Sequence, residues 1–171
     1  HQLHRRQRQM CIRDRQQAVA GIVGGASRVT DLFAGCGTLG LPLLNGLSKL
    51  TAAESDTTAL AAMKAAVDAA GLGARLYCIE ADLMRAPLTA DLFGDVEAVI
   101  IDPPRAGASA QCEILATTAV PAIAMVSCNP ASFARDAAIL VAGGYRLTSL
   151  QIIDQFRFSS HVEIVAGLER G

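Results

Sequence analysis

From Arg28 onward, short β-branched apolar runs alternate with Ala-rich segments whose apolar positions recur at helical spacing. The runs at residues 28–33, 50–54, 75–79, 98–102, 123–127, 146–154 and 162–168 predict seven strands. Between them, residues 39–47, 57–70, 110–118 and 131–142 are predicted helices, the second and fourth stopped by Gly71 and Gly143. This βα repetition predicts an α/β fold built on a mostly parallel sheet. The last two strands are joined only by the turn-length "DQFRFSSH", which predicts an antiparallel hairpin at the end of the chain. Open α/β sheets bind ligands beyond the carboxyl ends of their strands, so the residues just after each run are the ones to inspect.

The first fifteen residues, "HQLHRRQRQMCIRDR", break this pattern, being basic and polar and showing no period. The string "RQRQMCIRDR" resembles translated sequencing-adaptor read-through. A basic RNA-binding arm is the other reading. Residues 1–15 are therefore set aside as a non-native or disordered tail, and residues 16–171 are taken as one domain, which suits a chain of 171 residues.

Composition narrows the class. An apolar fraction of 51% against 18% charged residues supports a packed globular core. A net charge of −1 neither announces nor excludes a polyanionic partner. No apolar run approaches the roughly 20 residues of a membrane helix and no signal peptide is visible, so the expectation is a cytoplasmic protein without membrane attachment. The five cysteines, Cys11, Cys36, Cys78, Cys112 and Cys128, are widely spaced and form no C-x-x-C pair, which argues against a metal site or a disulfide framework.

Candidate chemistry lies at the strand ends. In "VTDLFAGCGTLGLPLL", Asp31 sits in the first strand, and Gly35 and Gly37 occupy the loop where a ligand can approach the backbone closely. Gly35, Gly37 and Gly40 match G-x-G-x-x-G, so a nicotinamide or flavin enzyme stays open. Glu54 ends the second strand about 20 residues after the glycines, where an acid accepts from ribose hydroxyls. Asp82 follows the third strand, placed to accept from an adenine amino group. Acids at all three strand ends favour S-adenosylmethionine over a dinucleotide.

The fourth run ends in "VIIDPPRAGA", where Pro103 and Pro104 stiffen a loop carrying Asp102 and Arg105. In "VSCNPASFARDAAIL", Pro130 marks a first helical turn and puts Cys128 just before it, where the helix dipole and unpaired amides favour a thiolate. On the last strand His161 and Glu163 share one face. Glu163, inside an apolar run, is expected to be partly withdrawn from water and suited to proton transfer. For His161 a packed structural role is favoured.

Together, "DLFAGCGTLGLPLL", "IDPPRAGA", "VSCNPASFARD" and "FRFSSHVE" resemble the catalytic domain of the uracil-5 RNA methyltransferases, which make 5-methyluridine in transfer and ribosomal RNA. The D-P-P-R and S-C-N-P pair carries most of the specificity. The resemblance implies a class I S-adenosylmethionine-dependent methyltransferase fold, Rossmann-like, with S-adenosyl-L-methionine held near Asp31, Phe33, Gly35, Gly37, Glu54, Asp82 and Asp102. It implies that Cys128 attacks carbon 6 of a uracil in RNA, that Glu163 removes the proton from carbon 5, and that Asp102 holds the ring. An unpaired, extruded base is then required. Where the family reads F-P-x-T, this chain has Phe156, Arg157, Phe158 and Ser159. The family's RNA-binding module, its iron-sulfur domain and a Phe-Gln segment have no counterpart here, so the chain resembles the C-terminal part of such an enzyme. A methyltransferase acting on an amino group, with D-P-P as the amine clamp, and a non-catalytic nucleoside-binding domain are the competing readings.

Overall fold

A computed structural model of the chain describes residues 2–154 and 162–171, with side chains from Cys11 onward except that of Asp154. The helix α1 (Gln2–Val23) leads into β1 (Arg28–Leu32), β2 (Lys49–Glu54), α2 (Thr57–Ala69), β3 (Leu76–Glu80), β4 (Ala98–Ile101), α3 (Ser109–Thr117), β5 (Ala122–Ser127), α4 (Pro130–Ala142), β6 (Tyr145–Asp154) and β7 (Val162–Arg170). Each predicted strand is present within two residues of its expected ends. The predicted helix at 39–47 is instead a 3₁₀ segment, Leu41–Gly46, with Pro42 in its first turn.

The seven strands form one sheet in the order β3-β2-β1-β4-β5-β7-β6. Strands β1 to β5 run parallel, and β7 inserts antiparallel between β5 and β6. The hairpin expected from the short link therefore forms, with its second strand innermost. The chain reverses its direction of travel across the sheet between β1 and β4. That switch leaves a crevice at their carboxyl ends.

Alternation along the central strands feeds two cores. Val99, Ile101, Ile123 and Met125 enter the layer closed by α3 and α4, while Ala98, Ile100, Ala124 and Val126 enter the opposite layer with Val19 and Val23 of α1. Strands buried on both faces read as continuous apolar runs, as β4 (Ala98–Ile101) does. Helix ends follow local chemistry. Asp56 caps α2 by accepting from the Thr58 and Ala59 amides at 2.9 and 3.1 Å. After α4 the positive φ falls on Gly144 (99°). Gly143 is needed for a different reason, since a Cβ there would strike the Ala116 backbone and part α3 from α4.

Residues 2–15, set aside as a non-native or disordered tail, are helical and continuous with the chain that follows. Cys11, Arg15, Val19 and Val23 recur every four residues, a helical stripe that the basic residues around it conceal. Cys11, Val19 and Val23 are buried against the sheet. Each such aliphatic burial contributes roughly 1.5–3 kcal/mol, enough to hold α1 on the sheet.

Candidate active site

The crevice at the β1–β4 switch opens into a cavity of about 310 Å³ lined by Phe33, Glu54, Ser55, Ala81, Asp82, Leu83, Met84, Asp102 and Pro104. Phe33 lies just past β1 in the left-handed region (φ 59°), a conformation that costs a bulky residue energy and clusters at functional sites. One strand over, the Glu54 carboxylate is fixed by the backbone. Its Oε1 accepts from the Ser55 amide (2.7 Å), the Ser55 hydroxyl (3.0 Å) and the Asp56 amide (2.9 Å), and its Oε2 accepts from the Gly35 amide (2.9 Å). Burial pushes Glu54 up, but these hydrogen bonds outweigh it and hold its pKa below the ordinary glutamate value. A carboxylate oxygen offers about two lone pairs, so Oε2 retains acceptor capacity toward the cavity while Oε1 is fully used. Asp82 is exposed, with Oδ1 accepting from the Met84 amide at 3.1 Å.

Three of the expected ligand residues sit behind this cavity and do not line it. Asp31 is fully buried and accepts from the Gly40 amide at 3.1 Å. Gly40 must be glycine because a Cβ would press on the Asp31 carboxylate and Leu50. Gly37 has φ 83° and leaves room for Leu41 and Met63, and Gly35 (φ 54°) turns its amide onto Glu54. Burial first, and then the charge of Asp102, push Asp31 up to about 7 against the Gly40 hydrogen bond.

On the other side of the switch the register brings the reactive candidates together. Leu32 pairs with Ile101, which sets Phe33 beside Asp102. Val126 pairs with Val165 and Ser127 with Ile164, so one further step of the same register sets Cys128 across from Glu163. Adjacent strands lie about 5 Å apart. Cys128 is half-buried and stands one residue before Asn129, whose side chain caps α4 by accepting from the Ala131 amide at 3.1 Å. Glu163 is only 12% exposed, which matches its expected withdrawal from water, and lies 3.7 Å from the Arg15 guanidinium. Burial pushes Asp102 up to about 6, with Arg15 opposing the rise and Glu163 adding to it. His161 and the segment Phe156, Arg157, Phe158 and Ser159 lie outside the described residues.

Several residues at the site escape sequence reading. Ser55, Leu83 and Met84 line the cavity without a motif of their own. Arg15 was set aside with the tail, although its place in the i+4 stripe marks it. The buried stripe of α4 is Ser132, Asp136 and Leu140, two of them polar, and a polar residue on a buried helical face is a signal that went unused. Among the described residues no cluster of ligating side chains suits a metal, and no helix is long and apolar enough to cross a membrane.

Strand order, a glycine-rich turn after β1, an acid ending β2 and a cavity at the topological switch define the class I methyltransferase fold, and solved structures agree. The tRNA (uracil-54, C5)-methyltransferase of Pyrococcus abyssi, solved with S-adenosyl-L-homocysteine, superposes with a TM-score of 0.75 at 28% identity over 90% of this chain and 36% of that one. Residues 89–170 match the tRNA (Uracil-5-)-methyltransferase family model. An RNA methyltransferase of Rhizobium meliloti is 47% identical over 149 residues, 86% of this chain and 35% of that protein. The 23S rRNA (uracil(1939)-C(5))-methyltransferase RlmD of Halomonas elongata is 37% identical over 149 residues, 86% of this chain and 30% of it. The chain is thus similar to the uracil-5 RNA methyltransferases, with the family model matching its C-terminal half, and it spans about a third of the length of the curated relatives it matches.

Proposed function

We propose that this chain carries the catalytic centre for S-adenosylmethionine-dependent methylation of carbon 5 of a uracil in RNA, through a covalent adduct on Cys128. What supports the reading is that the β5–β7 register, continued by one step, sets the Cys128 thiol across from the Glu163 carboxylate, and that Glu163 lies near enough for its charge to act on Asp102, which lines the cavity. The cavity residues fit the methyl donor. Glu54 Oε2 and the exposed Asp82 carboxylate offer acceptors to a ribose and an adenine, and Phe33, Leu83 and Met84 offer apolar walls. When bound, S-adenosylmethionine supplies an electrophilic methyl group.

The chain's own residues account for the rest. The Cys128 thiolate forms a sulfur–carbon bond to carbon 6, and the π electrons of the ring pass onto carbon 5, which becomes nucleophilic. Asp102 holds the ring beside the donor. Once carbon 5 carries its methyl group, Glu163 takes the remaining proton there, the electron pair restores the double bond, and Cys128 leaves as thiolate. RNA is the substrate, presented as an unpaired base, and the family likeness allows either transfer or ribosomal RNA.

Replacing Cys128 by alanine tests this directly. Methyl transfer is expected to fall by on the order of 10³ or more, with loss of the covalent complex formed on 5-fluorouridine RNA. Binding of S-adenosylhomocysteine, measured by calorimetry, stays within about twofold because Cys128 does not line the donor cavity. Retained methylation in the Cys128→Ala protein overturns the uracil mechanism and favours transfer to an amino group.

A further inference from the structure

We infer that Arg135 and Asp136 are positioning residues that lock the loop carrying Asp102 to the loop carrying Cys128, so that the two move as one body. The inference rests on the uracil-5 reading for its catalytic meaning, and on geometry alone for the coupling.

The loop after β4 makes its own turn, with the Gly107 amide donating to the Pro104 carbonyl at 2.8 Å. Its remaining polar groups are taken up by the first two turns of α4. The Asn129 side-chain amide donates to the Arg105 carbonyl at 3.0 Å, and Arg135 Nη2 donates to the Ala106 carbonyl at 2.8 Å. The Ala108 amide donates to Asp136 Oδ2 at 2.6 Å. Asp136 is 0% exposed, and its other oxygen faces Arg135 at 2.7 and 2.8 Å. A buried carboxylate held by a guanidinium and an amide is costly to disturb, because either partner lost leaves an unpaired charge. Gly107 (φ 80°) completes the fit, since a Cβ there would strike Arg135, Asp136 and Ser132.

The same helix start holds the nucleophile. Asn129 follows Cys128, accepts from the Ser132 hydroxyl at 3.1 Å, and exchanges hydrogen bonds with Ser127 at 3.1 and 3.2 Å. One residue, Asn129, thus touches both loops, and Asp136 anchors the far end of the first. The sulfur and the Asp102 carboxylate must reach opposite parts of one small ring. A fixed distance between their loops converts that requirement into packing.

Amide hydrogen exchange on the full 171-residue chain reads the coupling without any substrate. Asp136→Asn keeps the shape and one acceptor, and Arg135→Lys, at a half-exposed side chain, keeps a cation and spares the core. Both are expected to speed exchange of residues 105–108 and 127–129 together by about tenfold, leaving β1 and β4 unchanged. Loosening confined to 105–108, or spread over the whole sheet, overturns the inference. In methyl transfer, kcat falls about tenfold in both variants while the KM for S-adenosylmethionine stays within about twofold. An unchanged kcat also overturns it. The Cys128→Ala assay addresses the uracil reading separately, so a failure of one is told from a failure of the other.

Discussion

On the β1–β3 side of the crevice, Glu54 receives three hydrogen bonds from Ser55 and Asp56 in its own loop and a fourth from Gly35 after β1, and holds its charge, whereas on the β4–β7 side Asp102 sits among buried neighbours and rises to about 6. The first side is built from backbone amides and glycine turns. The second is built from side chains on three separate strands and a helix start. A binding group works best when its protonation never changes, so local hydrogen bonds that favour the anion suit it. A group that must exchange protons, or contact a ring that does, needs a setting in which the charged form is less strongly preferred. The sheet supplies both settings along one edge, the first at the end of β2 and the second just past β4.

If the two sides divide binding from chemistry, substitutions on each should separate the two measurements. Beyond Cys128→Ala, the largest effect is expected from Glu163→Gln, which removes the proton acceptor. Turnover falls by about 10²–10⁴ while the sulfur–carbon adduct accumulates on RNA and is seen as a gel-shifted species. A Glu163→Gln protein that turns over normally breaks the assignment of that side to chemistry. On the other side, Glu54→Ala is expected to weaken S-adenosylhomocysteine binding about tenfold or more by calorimetry, with the rate of Cys128 alkylation by iodoacetamide unchanged.

A smaller effect concerns pH. Asp31 rises from 3.8 to about 7 on folding, so the native chain binds the proton more tightly than the unfolded one. Stability from this group is complete below about pH 4 and is lost as pH rises through 7. Denaturant unfolding between pH 5 and 8 should therefore show a downward contribution that Asp31→Asn removes, raising stability at pH 8 by on the order of 1–3 kcal/mol. Asp102 contributes with the same sign, and Glu54, with its lowered value, with the opposite sign.

Strand positions were legible because β-branched runs and their bounding glycines report local geometry directly. The hairpin was legible from loop length, but the insertion of β7 between β5 and β6 was not, since pairing partners are chosen by packing between distant segments. Among site residues, Glu54, Asp82 and Asp102 were legible because each ends a strand at the ligand edge. Asp31 in the strand and Gly35 and Gly37 in the loop do not line the cavity, a distinction that depends on which way a turn presents its amides. The α1 stripe was hidden by composition. Arg15 lies between Cys11 and Val19 on the buried face, and a charge there obscures the period unless the spacing is counted across it.

The position of β7 also imposes an order in time. During synthesis the β5 edge forms early and then waits, because its partner β7 is made after β6, and β6, though made first, belongs outside it. Until residues 162–170 emerge, the edge beside Cys128 is an open template for any other extended chain. Glu163 arrives on the strand that closes that edge. Cys128 thus gains its facing carboxylate in the same event that makes the sheet safe from mispairing, and a Cys128 without Glu163 across from it marks a chain still in the making.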